Sequence, residues 1–105
     1  MPFYTFIMDY AGGTYISQVN AASEKSACVK WAQKLELSQI QRLGPKGQAA
    51  LIQKMKNDPP VALNGTFNAW CTGAFIRGEY ALINLVQTDR QKTTRRRASN
   101  GRASA

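Results

Sequence analysis

Histidine is absent from this 105-residue sequence, and cysteine is scarce. The absence of histidine removes the commonest general base, the commonest zinc ligand and the usual activator of a serine or cysteine nucleophile. The two cysteines, Cys28 and Cys71, form no CxxC pair, a pattern that favours reduced, buried thiols. No glycine-rich phosphate-binding motif occurs either. The sequence therefore predicts a protein that is not an enzyme and that holds no cofactor and no metal.

Long apolar segments are also missing. No run reaches the roughly 18 residues that a membrane-spanning helix needs. The first residues, Met1 to Tyr4, show neither the basic nor the apolar segment of a signal peptide. We therefore expect a cytoplasmic protein with no membrane partner. The hydrophobic content of 44% and the aromatic content of 10% are ordinary for a folded chain, so this length predicts one globular domain.

Acidic residues are missing from the C-terminal end, which gives the chain most of its positive charge. Residues 1 to 89 carry eight basic and six acidic residues, whereas residues 90 to 105 carry six basic residues and no acidic one. The C-terminal segment also has no aromatic residue and no aliphatic residue larger than alanine. It therefore predicts a disordered tail at residues 90 to 105, after a single α+β domain at residues 1 to 89.

Arginine-rich tails can bind polyanions by releasing condensed counterions, a contribution that needs no defined fold. A solubilising extension with no specific partner is the alternative, and it fits the composition slightly better because blocks of like charge are often only tails. The residues that would contact a nucleic acid are Arg90, Lys92, Arg95, Arg96, Arg97 and Arg102.

The segment from Thr66 to Thr88 contains two apolar runs separated by Arg77-Gly78, a pattern typical of a β-hairpin. Both alternating sides of these runs are apolar. A strand pair of this kind needs cover on both sides. The two sets are Trp70, Ile83 and Leu85 on one side and Phe67, Leu82 and Val86 on the other.

The N-terminal segment predicts another hairpin, formed by residues 3–10 and 14–21. A two-residue turn at Gly12-Gly13 would place Tyr10 opposite Tyr15, since glycine accepts the positive φ angles of such turns. Six apolar side chains then share one side, while the other side is mixed and suited to water. The six are Tyr4, Phe6, Met8, Tyr10, Tyr15 and Val19.

Two helical segments lie between the hairpins. Ser23 is a suitable N-cap for the first, and Pro45 suits the first turn of the second. Apolar residues at helical spacing give each segment one buried side. The sequence therefore predicts an α+β fold with a four-stranded antiparallel sheet, arranged as hairpin, two helices and hairpin, with both helices on one face. A short fifth strand at residues 61–63 is the alternative.

Residues 6 to 32, FIMDYAGGTYISQVNAASEKSACVKWA, combine a hairpin turning at Gly-Gly with a following tyrosine and an alanine-rich helix. This segment resembles the start of HicB-type antitoxin domains. Those domains carry a further strand before their first helix, which this chain lacks, and the resemblance implies no function for it.

Two helices can cover only one side of the sheet, so the C-terminal hairpin leaves an apolar side exposed. We expect a second copy of the chain to cover it, because two-fold dimers are the commonest closed assemblies. The predicted function is a small non-enzymatic binding or assembly module acting as a homo-oligomer. The alternatives are a nucleic-acid-associated protein that binds through its tail and a small-molecule-binding protein with a pocket between sheet and helices. The candidate interface or pocket residues are Trp70, Cys71, Tyr80, Leu82, Ile83, Asn84 and Leu85.

Overall fold

The computed structural model describes residues 2–88, which form an α+β fold with one antiparallel sheet and two α-helices. In chain order the elements are β1 (Phe3–Tyr10), β2 (Gly13–Asn20), α1 (Glu24–Gln33), a turn of 3-10 helix (Leu37–Gln39), α2 (Gly44–Asn57), β3 (Val61–Ala62), β4 (Ala69–Ile76) and β5 (Glu79–Thr88). The strands lie in the order β2-β1-β5-β4-β3. The predicted architecture is confirmed, and the short fifth strand is present. The predicted basic tail lies outside the described residues.

The two hairpins turn on pairs of residues with positive φ. Arg77 and Gly78 form the β4–β5 turn as predicted, with φ angles of 53° and 83°. The β1–β2 turn is formed by Ala11 and Gly12, with φ angles of 49° and 83°. Both are therefore type I′ turns.

The predicted turn at Gly12-Gly13 is wrong by one residue. Gly13 instead pairs with Tyr10 and begins β2. The Tyr15 ring lies against Gly13, where a Cβ atom would overlap it, so glycine is needed inside the strand. The register differs from the predicted one by two residues, which leaves every side chain on its predicted side of the sheet.

The helices begin and pack as their sequences indicate. Ser23 caps α1: its hydroxyl accepts a hydrogen bond from the Ser26 N–H at 3.2 Å, and the Ser26 hydroxyl accepts one from the Ser23 N–H. In α2, Gly47 lies close to Ile76 of β4. A Cβ atom at residue 47 would crowd the Ile76 side chain, so glycine allows the close approach of the helix to the strand. Neither helix within residues 2–88 is long and apolar enough to cross a membrane.

The hydrophobic core fills the space between the helices and one face of the sheet. Phe6 stacks on Trp31 of α1, with ring centroids 4.9 Å apart and planes 6° apart. Ile83 and Leu85 of β5 are fully buried in the same core. The buried Tyr10 hydroxyl donates a hydrogen bond to the Ile76 carbonyl oxygen at 2.9 Å, so this polar group is satisfied inside the core.

Candidate functional site

The sheet turns one face toward the helices and the other away from them. The second, called the open face below, carries the odd-numbered residues of β1 and β4 and the even-numbered residues of β2 and β5. Its side chains include Phe75, Ile16 and Tyr80, which are 77%, 67% and 52% exposed. They are exposed because α1 and α2 both pack on the opposite face.

The middle of the open face is a row of five side chains, one from each strand. In sheet order they are Ile16, Ile7, Asn84, Cys71 and Val61. Asn84 is half-buried, and its side chain has no hydrogen-bond partner within residues 2–88. An amide at the centre of an apolar row therefore keeps two donors and an acceptor for a partner molecule.

Apolar side chains continue above and below this row. Leu82 and Val86 stand on either side of Asn84 along β5. Toward the β4–β5 turn, the rings of Phe75 and Tyr80 meet edge to face, with centroids 5.2 Å apart. The Tyr80 ring also lies over Gly73, where a Cβ atom would overlap it. This arrangement fills the gap that a glycine otherwise leaves in a sheet surface.

Charged side chains are distributed unevenly between the open face and the rest of the described residues. The open face carries one charged side chain, Asp9, whose carboxylate accepts a hydrogen bond from the Thr14 hydroxyl at 2.7 Å. No lysine or arginine of residues 2–88 lies on this face, so a polyanion finds no cation there. The eight basic residues of this range belong to the helices, their flanking loops and the β4–β5 turn. They are Lys25, Lys30, Lys34, Arg42, Lys46, Lys54, Lys56 and Arg77.

The seven residues predicted for an interface or pocket divide between the two faces. Those on the open face are Cys71, Tyr80, Leu82 and Asn84. Those on the helix side are Trp70, Ile83 and Leu85. Because successive side chains of a strand point in opposite directions, the seven do not line one pocket between sheet and helices.

Other residues of the open face escaped the sequence analysis. Ile7 and Ile16 belong to the mixed side of the N-terminal hairpin, for which the sequence predicted contact with water. Pairing of β1 with β5 joins that side to Leu82 and Val86 in one continuous surface. Phe67 was predicted on the same side as Leu82 and Val86, but it lies before β4, outside the strand pairing, and is 93% exposed. The six predicted polyanion-binding residues of the tail lie outside the described residues.

The two thiols differ in surroundings and reactivity. Cys28 lies on the buried side of α1, and burial, together with the nearby Glu24 carboxylate, raises the pKa of its thiol to about 12. This thiol is therefore protonated and inert at neutral pH. Cys71 is half-buried on the open face, and its cross-strand neighbours Asn84 and Val61 are neither bases nor cations. Neither neighbour can activate Cys71 as a nucleophile.

Surface cavities lie mainly beside the helices. One, of about 650 Å³, runs along α1 and is lined by Ser23, Lys25, Ser26, Val29, Lys30, Gln33 and Lys56. Another, of about 700 Å³, lies at the start of α2 and is lined by Leu37, Ile40, Arg42, Gly44, Pro45, Lys46 and Arg77. A smaller one, of about 120 Å³, lies beside β2 and is lined by Tyr15, Ile16, Ser17, Lys34, Leu35, Glu36, Gln39 and Ile40. Residues 2–88 contain no group of three or more side chains that could hold a metal ion.

The chain matches no protein-family model, no curated protein and no solved structure.

Among the described residues, four of the six exposed large apolar side chains lie on the open face. They are Ile16, Val61, Phe75 and Tyr80. The open face is thus where this structure offers the most apolar surface to a partner.

Proposed function

We propose that the protein is a small non-enzymatic assembly module that works as a homodimer, with the open faces of two chains packed against each other. The observation that carries the proposal is the open face itself. It is apolar, it carries no lysine or arginine of residues 2–88, and the amide at its centre has no hydrogen-bond partner among those residues. A monomer that exposes such a surface loses the free energy that its burial would contribute.

The size of the open face suits a dimer. Four strands of eight to ten residues, with the usual spacings, give a surface of roughly 20 by 26 Å. Its accessible area exceeds this projection because the side chains stand out from the sheet. The total is therefore on the scale of the roughly 800 Å² that each partner buries in a standard interface.

The pattern of residues suits a second copy of the same chain. A two-fold axis in the plane between two faces, passing through Asn84, brings the two Asn84 amides together. If this axis runs parallel to the strands, Ile7 of one copy lies opposite Cys71 of the other. If it runs perpendicular to the strands, Leu82 of one copy lies opposite Val86 of the other. Neither arrangement opposes the two Asp9 carboxylates, which lie off the axis. A self-paired asparagine in an apolar interface fixes register, as it does in coiled coils.

The test is a Leu82→Lys substitution, which places a cation on the open face without touching the core. We expect it to halve the mass of the assembly in sedimentation equilibrium at tens of micromolar, because the pair of faces would then bury two unpaired charges. A thiol reagent should also modify Cys71 faster in this variant, because the partner no longer covers that thiol.

The matched control is Gln53→Lys, which adds the same charge at an exposed position of α2. This variant should keep the mass of the wild-type assembly. A wild-type chain that is monomeric at tens of micromolar would contradict the proposal. So would a Leu82→Lys variant with the wild-type mass and the wild-type rate of Cys71 modification.

A further inference from the structure

The two edges of the sheet are protected very differently. At one edge, β3 has only two residues and directly follows Pro59-Pro60, so little backbone is available there for pairing. At the other edge, β2 has eight residues, none of them charged and none of them proline. Natural edge strands are usually short, charged or interrupted, because a long uncharged edge is a template for another strand. The β2 strand has none of these protections.

The backbone groups that β2 leaves free follow from its turn. Tyr10 and Gly13 flank a two-residue turn, so they form a hydrogen-bonded pair, and the pairs along β1 and β2 alternate from there. Thr14, Ile16 and Gln18 therefore direct their N–H and C=O groups away from β1. None of these groups has a partner within residues 2–88.

The same alternation leaves the Asn20 carbonyl facing outward, but this group is satisfied. The Lys30 ammonium group of α1 donates a hydrogen bond to it at 2.7 Å. The end of β2 nearest α1 is thus closed by a side chain. The free part of the edge is the five-residue stretch centred on Ile16, whose side chain is 67% exposed.

We infer that this edge binds the β2 strand of a second copy, paired antiparallel about Ile16. Two strands related in this way place Thr14 opposite Gln18 and Tyr15 opposite Ser17, with no charged residue in either strand. Beside the edge, the 120 Å³ cavity is lined by Lys34 and Glu36. Each copy thus brings one cation and one anion to the side of the edge, and a two-fold axis can bring the lysine of each copy toward the glutamate of the other.

This second contact is independent of the proposed pairing of open faces and adds to it. The two-fold axis that pairs two edge strands antiparallel is perpendicular to the sheet, whereas the axis that pairs two open faces lies parallel to it. Each protomer can therefore make both contacts at once. Two such axes close into a tetramer when they intersect. The open-face axis that crosses the strands meets the edge axis, because Ile16 and Asn84 lie in one row of the sheet. We infer four chains joined through two kinds of interface.

The test is an Ile16→Pro substitution, compared with Ile16→Val. Proline removes an N–H that points away from β1, so it breaks no hydrogen bond within the chain and is tolerated at a sheet edge. In sedimentation equilibrium we expect four chains for the wild type and for Ile16→Val, and two chains for Ile16→Pro. The amide protons of Thr14 and Gln18 should exchange with solvent slowly in the wild type and rapidly in Ile16→Pro.

The combination with Leu82→Lys separates the two interfaces. Leu82→Lys alone should leave a pair of chains joined through β2, and the double variant should be monomeric. If the wild type and Ile16→Pro have the same mass and the Thr14 and Gln18 amides exchange rapidly in both, the edge contact is overturned, whatever Leu82→Lys does. An unrelated protein recovered on the β2 edge, with the chain itself unpaired there, would overturn it as well.

Discussion

The two faces of the sheet are built from similar residues but have different surroundings. On the helix side, Phe6, Met8, Ile83 and Leu85 are 0% exposed. On the open face, Phe75 is 77% exposed although it belongs to the same hairpin as Ile83. Apolar content does not decide which face is buried. The decisive factor is that residues 2–88 supply two α-helices, which is enough to cover one face of this sheet.

The polar groups of the two faces differ in the same way. On the helix side, the Tyr10 hydroxyl finds the Ile76 carbonyl within the same chain. On the open face, the Asn84 amide has no partner among residues 2–88. The helix side therefore has its apolar side chains buried and its Tyr10 hydroxyl hydrogen-bonded within a single chain. The open face keeps exposed apolar side chains and, among residues 2–88, an amide with no partner. In the proposed dimer, a second copy would supply both deficits at once.

The sharpest way to break this comparison is to place the same charge on either face of β5. Ile83→Lys buries an unpaired ammonium group in the core, a change that costs more than about 4 kcal/mol. Since a domain of this size is stable by only about 5–15 kcal/mol, we expect Ile83→Lys to be largely unfolded. Far-ultraviolet circular dichroism and urea denaturation measure this directly.

Its neighbour Leu82 provides the control, because the next residue of a strand points to the other face. Leu82→Lys should keep the circular dichroism spectrum of the wild type and lose only the association through the open face. Equal unfolding by both substitutions would show that each face is interior to one chain, and the distinction between the two faces would be lost.

The alternation of apolar residues was enough to predict most of one chain's fold. It indicated both hairpins, both helices and the side of the N-terminal hairpin that is buried. The helix start at Ser23 followed from capping chemistry, and the Arg77-Gly78 turn from the break that it makes between two apolar runs. These features depend on residues close together in the sequence. The burial of Tyr4, Phe6, Met8 and Tyr10 follows from period two in a strand.

The features that escaped prediction depend on contacts between distant residues. The central position of β1 and β5 comes from their pairing, which local sequence does not encode. Because both faces of the β4–β5 hairpin are apolar, the sequence left open whether the helices cover Leu82 or Ile83. The turn at Ala11-Gly12 was missed because Gly13 is required for contact with the Tyr15 ring rather than for the turn.

A second substitution sharpens the comparison at the centre of the open face. Asn84→Asp changes one atom, and in a single chain it places a carboxylate on a half-buried surface position. In the proposed dimer, two carboxylates meet at the two-fold axis, and their repulsion weakens association by about 3 kcal/mol, or about 100-fold or more. The dissociation constant from sedimentation should rise accordingly at neutral pH and recover near pH 3, where carboxylates take up protons.

Gln53→Glu adds the same charge outside both proposed interfaces and serves as the control. Gln53 is exposed on α2, away from the open face and from β2. This variant should associate as the wild type does. Equal weakening by both substitutions would assign the effect to net charge rather than to a two-fold axis at Asn84.

The smallest effect that we expect is a loss of stability at high pH, which arises from the buried Cys28 thiol on the helix side of the sheet. Burial, and then the Glu24 carboxylate, raise the pKa of Cys28 from 9.0 to about 12. Between these values the unfolded chain releases the thiol proton and the folded chain keeps it. The stabilisation is therefore fully present below about pH 9 and is lost as the pH rises toward about 12, by at most about 1.4 kcal/mol per pH unit. Burial also raises the pKa of Tyr4, which acts in the same direction above pH 10.

Urea denaturation between about pH 8 and pH 10.5 measures this slope. Cys28→Ala removes the buried thiol, so its free energy of unfolding should fall less steeply with pH than that of the wild type. A Cys28→Ala variant with the wild-type slope would assign the loss of stability to Tyr4. The buried thiol of α1 would then not be the group whose titration lowers the stability of the covered face at high pH.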